Sequence, residues 1–247
     1  AKSATSLASR GPVWRILQRG MQVWERTVTV MASATAFTLS NEYIDLEYDG
    51  VHLEALNHLS GRASTMPFPG FELHHSGRIV DGTALVADSL QQDATSASIS
   101  YTDPDSDMRV RVQVSLQKDE AWFTKSFVFH HPAPQAPSGR LYLHKDENPP
   151  QPVRRVGYGI RGGPECEEVT GLETYADQPG CGYPVYAGDW FFGVEHPTGF
   201  TVADGGLKMY HHPTWDDDGT IESFKAVFGA AESHEQVPER FMDYLWA

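Results

Sequence analysis

The stretch Tyr183-Pro-Val-Tyr-Ala-Gly-Asp-Trp-Phe-Phe-Gly-Val-Glu-His-Pro197 places five aromatics, two glycines, two prolines and two carboxylates in fifteen residues. A strand buried on both faces reads as a nearly continuous apolar run, and Trp190–Val194 is such a run. Asp189 and Glu195 bracket it. A carboxylate at each end of a buried strand either caps a turn or belongs to a binding surface. Outward from this segment the dominant period is two. In Met108-Arg-Val-Arg-Val-Gln-Val-Ser-Leu116, Val110, Val112, Val114 and Leu116 share one face, while Arg109, Arg111, Gln113 and Ser115 share the other. That is a half-buried strand of an antiparallel sheet. Asp103-Pro-Asp-Ser-Asp107 before it and Lys118-Asp-Glu120 after it are turn signals. Trp122–Phe129 returns as the second arm of a hairpin, with Phe123, Phe127 and Phe129 on one face and Lys125 interrupting that face.

The same reasoning predicts strands at 12–18, 22–31, 35–40, 42–48, 51–56, 84–90, 95–101, 140–144, 153–160, 190–195, 199–203, 207–211 and 221–229. Turns such as Tyr48-Asp-Gly50, Ser60-Gly61 and Asp218-Gly219 separate them. Many short strands at this spacing mean an all-β sandwich or barrel. One helix is expected, over 235–246, with Pro238 in its first turn and Phe241, Tyr244 and Leu245 at i, i+3, i+4. Pro132–Pro137 and Asn148–Pro152 read as proline-rich connections. The chain reads as a mature or trimmed piece of something longer.

Nineteen Lys and Arg against 33 Asp and Glu give a formal net charge of -14. Phosphate binding needs a basic surface, so a nucleic-acid partner is not expected, nor adhesion to an anionic membrane. No apolar run approaches the ~18–20 residues of a membrane helix. A neutral ligand such as a sugar is compatible with this charge, and so is an acidity that serves only solubility. Cys166 and Cys181 are the only cysteines; oxidised, they close a loop worth ~3 kcal/mol in the chain-entropy account. No C-x-x-C or His-x-His spacing points to a metal, and no phosphate loop or dinucleotide fingerprint points to a cofactor.

Three patches occur in order: Phe37–Tyr48 with Leu56-Asn-His-Leu-Ser-Gly61 and Gly70–Leu73, then the hairpin Arg109–Phe129, then Tyr183–Pro197 with Ser223–Ala230 and Phe241–Leu245. This order resembles the N-terminal, galactose-mutarotase-like β-supersandwich of multidomain glycoside hydrolases, α-galactosidase-like enzymes above all. The resemblance implies an antiparallel supersandwich over 35–247; residues 1–34, read from their own pattern as a strand-rich extension, have no counterpart in it. It implies an accessory domain that packs on a catalytic barrel and walls a sugar pocket, in a secreted or periplasmic protein. The barrel's catalytic carboxylates have no counterpart in this chain. A free-standing carbohydrate-binding module and a mutarotase-like epimerase are the alternatives.

Asp189, Trp190, Glu195 and Trp215 are the candidate carbohydrate contacts. Asp189 and Glu195 are six residues apart, or ~20 Å in extended chain, which is too far for a glycosidase pair. Three of the four also have a plainer reading: Asp189 as a turn cap, Trp190 as core, Glu195 as a partner for a neighbouring strand or domain. Trp190, Trp215, Tyr186 and Tyr210 have the chemistry of a sugar-stacking platform. Asp216–Asp218 beside Trp215 are suited to hydroxyls or Ca²⁺, or are a solvated loop. The doublets His74-His75, His130-His131 and His211-His212 point to opposite faces of their strands, which works against a metal site.

Overall fold

A strand with alternating apolar side chains needs a second layer to cover its apolar face. The computed structural model shows how this chain supplies one. It describes residues 35–75, 77–132, 139–158, 164–168, 180–181, 184–196, 198–203 and 206–247, with backbone alone at 155–158, 164–168 and 180–181. In chain order the described strands are β1 (Phe37–Ser40), β2 (Ile44–Tyr48), β3 (Leu53–Asn57), β4 (Arg62–Met66), β5 (Glu72–His75), β6 (Arg78–Asp81) and β7 (Val86–Gln92). Next come β8 (Ser96–Thr102), β9 (Arg109–Leu116), β10 (Trp122–His130), β11 (Leu141–Asp146), β12 (Val153–Tyr158), β13 (Pro164–Glu168) and β14 (Gly180–Cys181). The last are β15 (Val185–Ala187), β16 (Trp190–Val194), β17 (Phe200–Ala203), β18 (Leu207–His211), β19 (Thr220–Glu222) and β20 (Ala226–Ala230), followed by helix α1 (Val237–Trp246).

These strands build three antiparallel sheets. β1–β4 form a four-stranded meander. A ten-stranded sheet runs β13-β12-β15-β16-β20-β10-β9-β8-β7, with β19 also paired to β10. A six-stranded sheet runs β14-β17-β18-β11-β5-β6. The three share one core. Val110, Val112, Val114 and Leu116 of β9 enter it as their alternation predicts, as do Phe123, Phe127 and Phe129 of β10. They meet Leu73, Leu141, Leu143, Leu207 and Met209 of the six-stranded sheet and Leu39, Ile44 and Leu46 of the meander. Phe123 stacks on Phe228 at 4.6 Å, and Trp190 stands edge-on to Phe123 at 6.2 Å.

Two differences from the sequence reading have physical causes. Residues 221–229 form two strands, because Ser223-Phe-Lys225 loops out between β19 and β20. The short or half-exposed strands β4, β5, β6 and β13–β15 carry too weak an alternation to be read. The strands expected at 12–18 and 22–31 lie outside the described residues. Cys166 pairs with Val156 at the edge of the ten-stranded sheet and Cys181 with Phe200 at the edge of the six-stranded one. Their side chains, and so the expected disulfide, lie outside what the structure describes.

Helix α1 forms where Pro238 and the apolar spacing place it. Val237, Phe241 and Tyr244, at i, i+4 and i+7, dock on a second cluster of Tyr186, Phe191, Val227 and Ala231. Gly229 makes room for this: a Cβ there would lie 1.9 Å from the Phe191 ring. Leu245 does not join that stripe. It faces outward, 56% exposed, beside Met242 at 45% and Trp246 at 82%. The helix therefore has an anchored face and an open apolar one. Serine at both Leu245 and Trp246 is expected to move the melting temperature by less than about 2 °C, as surface changes do. Phe241→Ala, which hollows the anchored face, is expected to cost about 3 kcal/mol. A large fall with the double serine variant would show that the open face is also core.

Candidate functional site

Alternation that sends valines and phenylalanines inward sends polar side chains outward. The outer face of the ten-stranded sheet carries Gln113 opposite Ser126 and Ser115 opposite Thr124, with Trp122 on the next row. The loop Ser223-Phe-Lys225 shapes this face. Ser223 N–H donates to the Phe127 carbonyl at 2.9 Å, and Phe127 N–H donates to Ser223 Oγ at 2.8 Å. The loop ends at Lys225, whose carbonyl accepts from Glu195 N–H at 2.9 Å. Its Nζ reaches Glu195 at 3.1 Å, just beyond the end of β16. Tyr244 of α1 donates its hydroxyl to the other Glu195 oxygen at 3.0 Å and meets the Trp122 ring edge-on at 5.3 Å. Asn41 holds the turn carrying Glu120, donating to the Gln117 and Glu120 carbonyls at 2.7 and 2.8 Å.

Gln113, Ser115, Glu120, Trp122, Glu195 and Lys225 line a cleft of about 340 Å³, with Asn41 and Tyr244 holding the Glu120 turn and the Glu195 carboxylate from outside it. Burial pushes the Glu120 carboxyl up, and the charge of Glu195 adds to it, while Lys225 and a hydrogen bond with Trp122 pull it back. Burial also lifts the Tyr244 hydroxyl well above its ordinary value, and the charge of Glu195 reinforces this. Tyr244 is therefore a fixed donor. An indole, two carboxylates, an ammonium, two amides and three hydroxyls around one cleft suit a hydroxyl-rich ligand.

The sequence-predicted residues separate. Glu195 lies in the cleft. Asp189 does not: it is 3% exposed at the Gly188-Asp189 turn between β15 and β16. Trp190 is fully buried in the core. Neither side chain is open to a sugar, so the expectation that both reach toward one gives way to turn and core. Trp215 lies against the His75 ring at 5.1 Å and donates to His75 Nδ1 at 3.2 Å, away from the cleft lining. Tyr186 packs under α1 and Tyr210 stacks on Phe200 at 4.8 Å, so the four rings do not form one platform. Asp216–Asp218 form a tight turn, closed by Gly219 N–H on the Asp216 carbonyl at 3.0 Å. The histidine doublets do split: His75 and His211 are buried while His130 and His212 are exposed. Among the described residues no cluster of three metal-ligating side chains occurs.

Glu120, Trp122 and Lys225 were not anticipated. Trp122 opens a strand whose apolar face begins at Phe123, so its outward direction was legible from alternation. Lys225 was not, because its aim depends on the looped-out residues.

No family model matches the chain. No curated protein matches it either. Solved structures do. An α-N-acetylgalactosaminidase, NagBb from Bifidobacterium bifidum in complex with GalNAc, superposes with a TM-score of 0.56 at 9% identity, over 85% of this chain and 38% of that one. The GH36 α-galactosidase AgaB from Geobacillus stearothermophilus gives 0.45 at 9% identity, over 81% of this chain and 40% of that one. A galactose mutarotase related enzyme from Lactobacillus acidophilus gives 0.42 at 8%, over 80% of this chain and 98% of that one. The chain thus spans about two fifths of the length of the two glycosidases. Three antiparallel sheets around one core make the fold an all-β, antiparallel supersandwich, shared with a part of the NagBb structure.

Proposed function

We propose that this chain is the accessory domain of a glycoside hydrolase, packing on a catalytic barrel and walling one side of its sugar pocket. One observation carries the reading: a single helix serves two surfaces. Tyr244 on its anchored side completes the polar cleft through Glu195. Met242, Leu245 and Trp246 on its open side present contiguous apolar area, which on soluble proteins usually marks an interface. A partner domain seated there would lie beside the cleft. Trp122 offers a face for sugar C–H groups, and Gln113, Ser115, Thr124 and Ser126 offer hydrogen bonds. Glu195 is engaged by Lys225 and Tyr244, which suits holding a hydroxyl more than moving a proton. The setting is secreted or periplasmic in this reading.

A second reading, a mutarotase-like epimerase, draws on Glu120 and Glu195 sharing one cleft with Glu120 shifted toward its acid form. One set of measurements separates the two. The chain is titrated with a neutral galactoside while tryptophan fluorescence is followed, then assayed on aryl α- and β-glycosides and for anomer exchange. Saturable binding lost in Trp122→Ala, with no turnover in any assay, is expected. Turnover that disappears in Glu120→Gln or Glu195→Gln would replace the accessory role with the enzymatic one.

A further inference from the structure

The polar face continues beyond the cleft, and its chemistry changes. Along β9, Gln113 gives way to Arg111 and Arg109, which share one face about 7 Å apart. Register places Ser100 and Val128 on either side of Arg111, and Thr102 and His130 on either side of Arg109. These residues line a second cavity, of about 480 Å³, with Asp88 at its edge. Asp88 accepts a hydrogen bond from Thr102 Oγ1 at 2.6 Å. Glu222, across from Val128, borders the other side. Neither arginine forms an ion pair among the described residues, although the chain carries 33 acidic side chains against 19 basic ones. Two like charges on neighbouring rows of a sheet face repel. Two guanidinium groups on one exposed polar face, with no ion pair among the described residues, offer their donors to an external oxyanion.

We propose that this end of the face binds the carboxylate or sulfate group of an acidic saccharide. The guanidinium forks of Arg109 and Arg111 meet the oxyanion, and guanidinium is suited to planar oxyanions. The hydroxyls of Ser100 and Thr102 receive the ring hydroxyls. The subsite lies on the same strands as the cleft at Trp122 but uses none of its lining residues. Its success or failure is therefore read separately from the accessory-domain reading.

The test uses the full chain at low ionic strength, titrated calorimetrically with sodium D-galacturonate, D-galactose and inorganic sulfate. Galacturonate is expected to bind saturably, and galactose about tenfold more weakly at this subsite, since charge-assisted hydrogen bonds are about twice as strong as neutral ones. Sulfate, lacking the ring hydroxyls, is expected to be weaker as well. Arg109→Gln with Arg111→Gln is expected to lower galacturonate affinity about tenfold or more, while Trp122→Ala leaves it within about twofold. Both arginines are exposed, so the double variant should melt like the parent. Absence of saturable galacturonate binding would overturn the proposal. So would equal affinity of the Trp122→Ala protein for galactose or for sulfate, or undiminished galacturonate binding by the arginine variant.

Discussion

Replacing Lys125 with methionine is expected to stabilise this chain near neutral pH and to destabilise it in alkali. Lys125 lies on β10 between Phe123 and Phe127 and is 2% exposed. Its Nζ has one hydrogen bond, donated to the Pro69 carbonyl at 2.8 Å, and three aromatic rings, of Phe68, Phe127 and Phe228, within 5.9 Å. The buried His144 ring, on the opposing sheet, feels its charge. Burial lowers the ammonium from 10.5 to about 7. A folded value depressed below the unfolded one means stability that is complete above pH 10.5 and is lost as pH falls toward 7. At about 1.4 kcal/mol per unit, the whole window is worth roughly 5 kcal/mol. Methionine removes that dependence but strands the Pro69 carbonyl, at about 1–3 kcal/mol. The balance favours the variant by roughly 2 kcal/mol at pH 7 and the parent by about 1 kcal/mol near pH 10. Urea midpoints measured from pH 7 to 10 should therefore cross. Parallel curves would show that Lys125 is not buried as a strained cation. Below pH 6.5 a second loss sets in for both proteins, because burial holds His144 well below its ordinary value and His211 at about 4.

Lys125 also shows where sequence reading reaches its limit. Alternation located β9 and β10 and the inward direction of their apolar residues, because each side chain's face depends only on its own strand. A lysine on that face looked like an interruption. The structure keeps the period and carries the lysine inward, since a carbonyl from the 67–71 segment waits for it. No local pattern encodes such a partner. The cleft divides the same way. Gln113, Ser115 and Trp122 were legible as an outward row, whereas Glu195 meets Lys225 and Tyr244 only through a looped-out segment and a docked helix. Asp189 and Trp190 drew attention because they sit in the densest aromatic segment. That density reflects burial: β16 runs between β15 and β20 in the middle of the largest sheet. The patches that carried the family resemblance do converge, at a structural joint.

That joint underlies the last prediction. Asp189→Ala is expected to lower stability by about 3 kcal/mol, or roughly 6–12 °C in melting temperature, without a specific effect on sugar binding. Asn57, at the end of β3, is fully buried. Its Nδ2 donates to Asp189 Oδ2 and to the Ala231 carbonyl, each at 2.8 Å. Ser60 Oγ donates to the same Asp189 oxygen. Ala231 N–H donates to the Asp189 carbonyl at 2.9 Å. The carboxylate thus ties the four-stranded meander to the β15–β16 turn, and the Asn57 amide and the Asp189 backbone carbonyl carry the joint on to the residue after β20. The turn itself depends on Gly188, whose φ of 59° is a left-handed conformation that favours glycine. Removing the carboxylate leaves the fully buried Asn57 amide one acceptor short, where deletion is most costly, and takes an acceptor from the half-buried Ser60 hydroxyl. Asn57→Ala should cost a similar amount. The double variant should cost clearly less than the sum, because each single change breaks the same joint. Additive losses would show that the two residues act separately. An Asp189→Ala protein that melts like its parent but binds a galactoside more weakly would place Asp189 in the sugar site after all, and the joint would have to be assigned to other contacts.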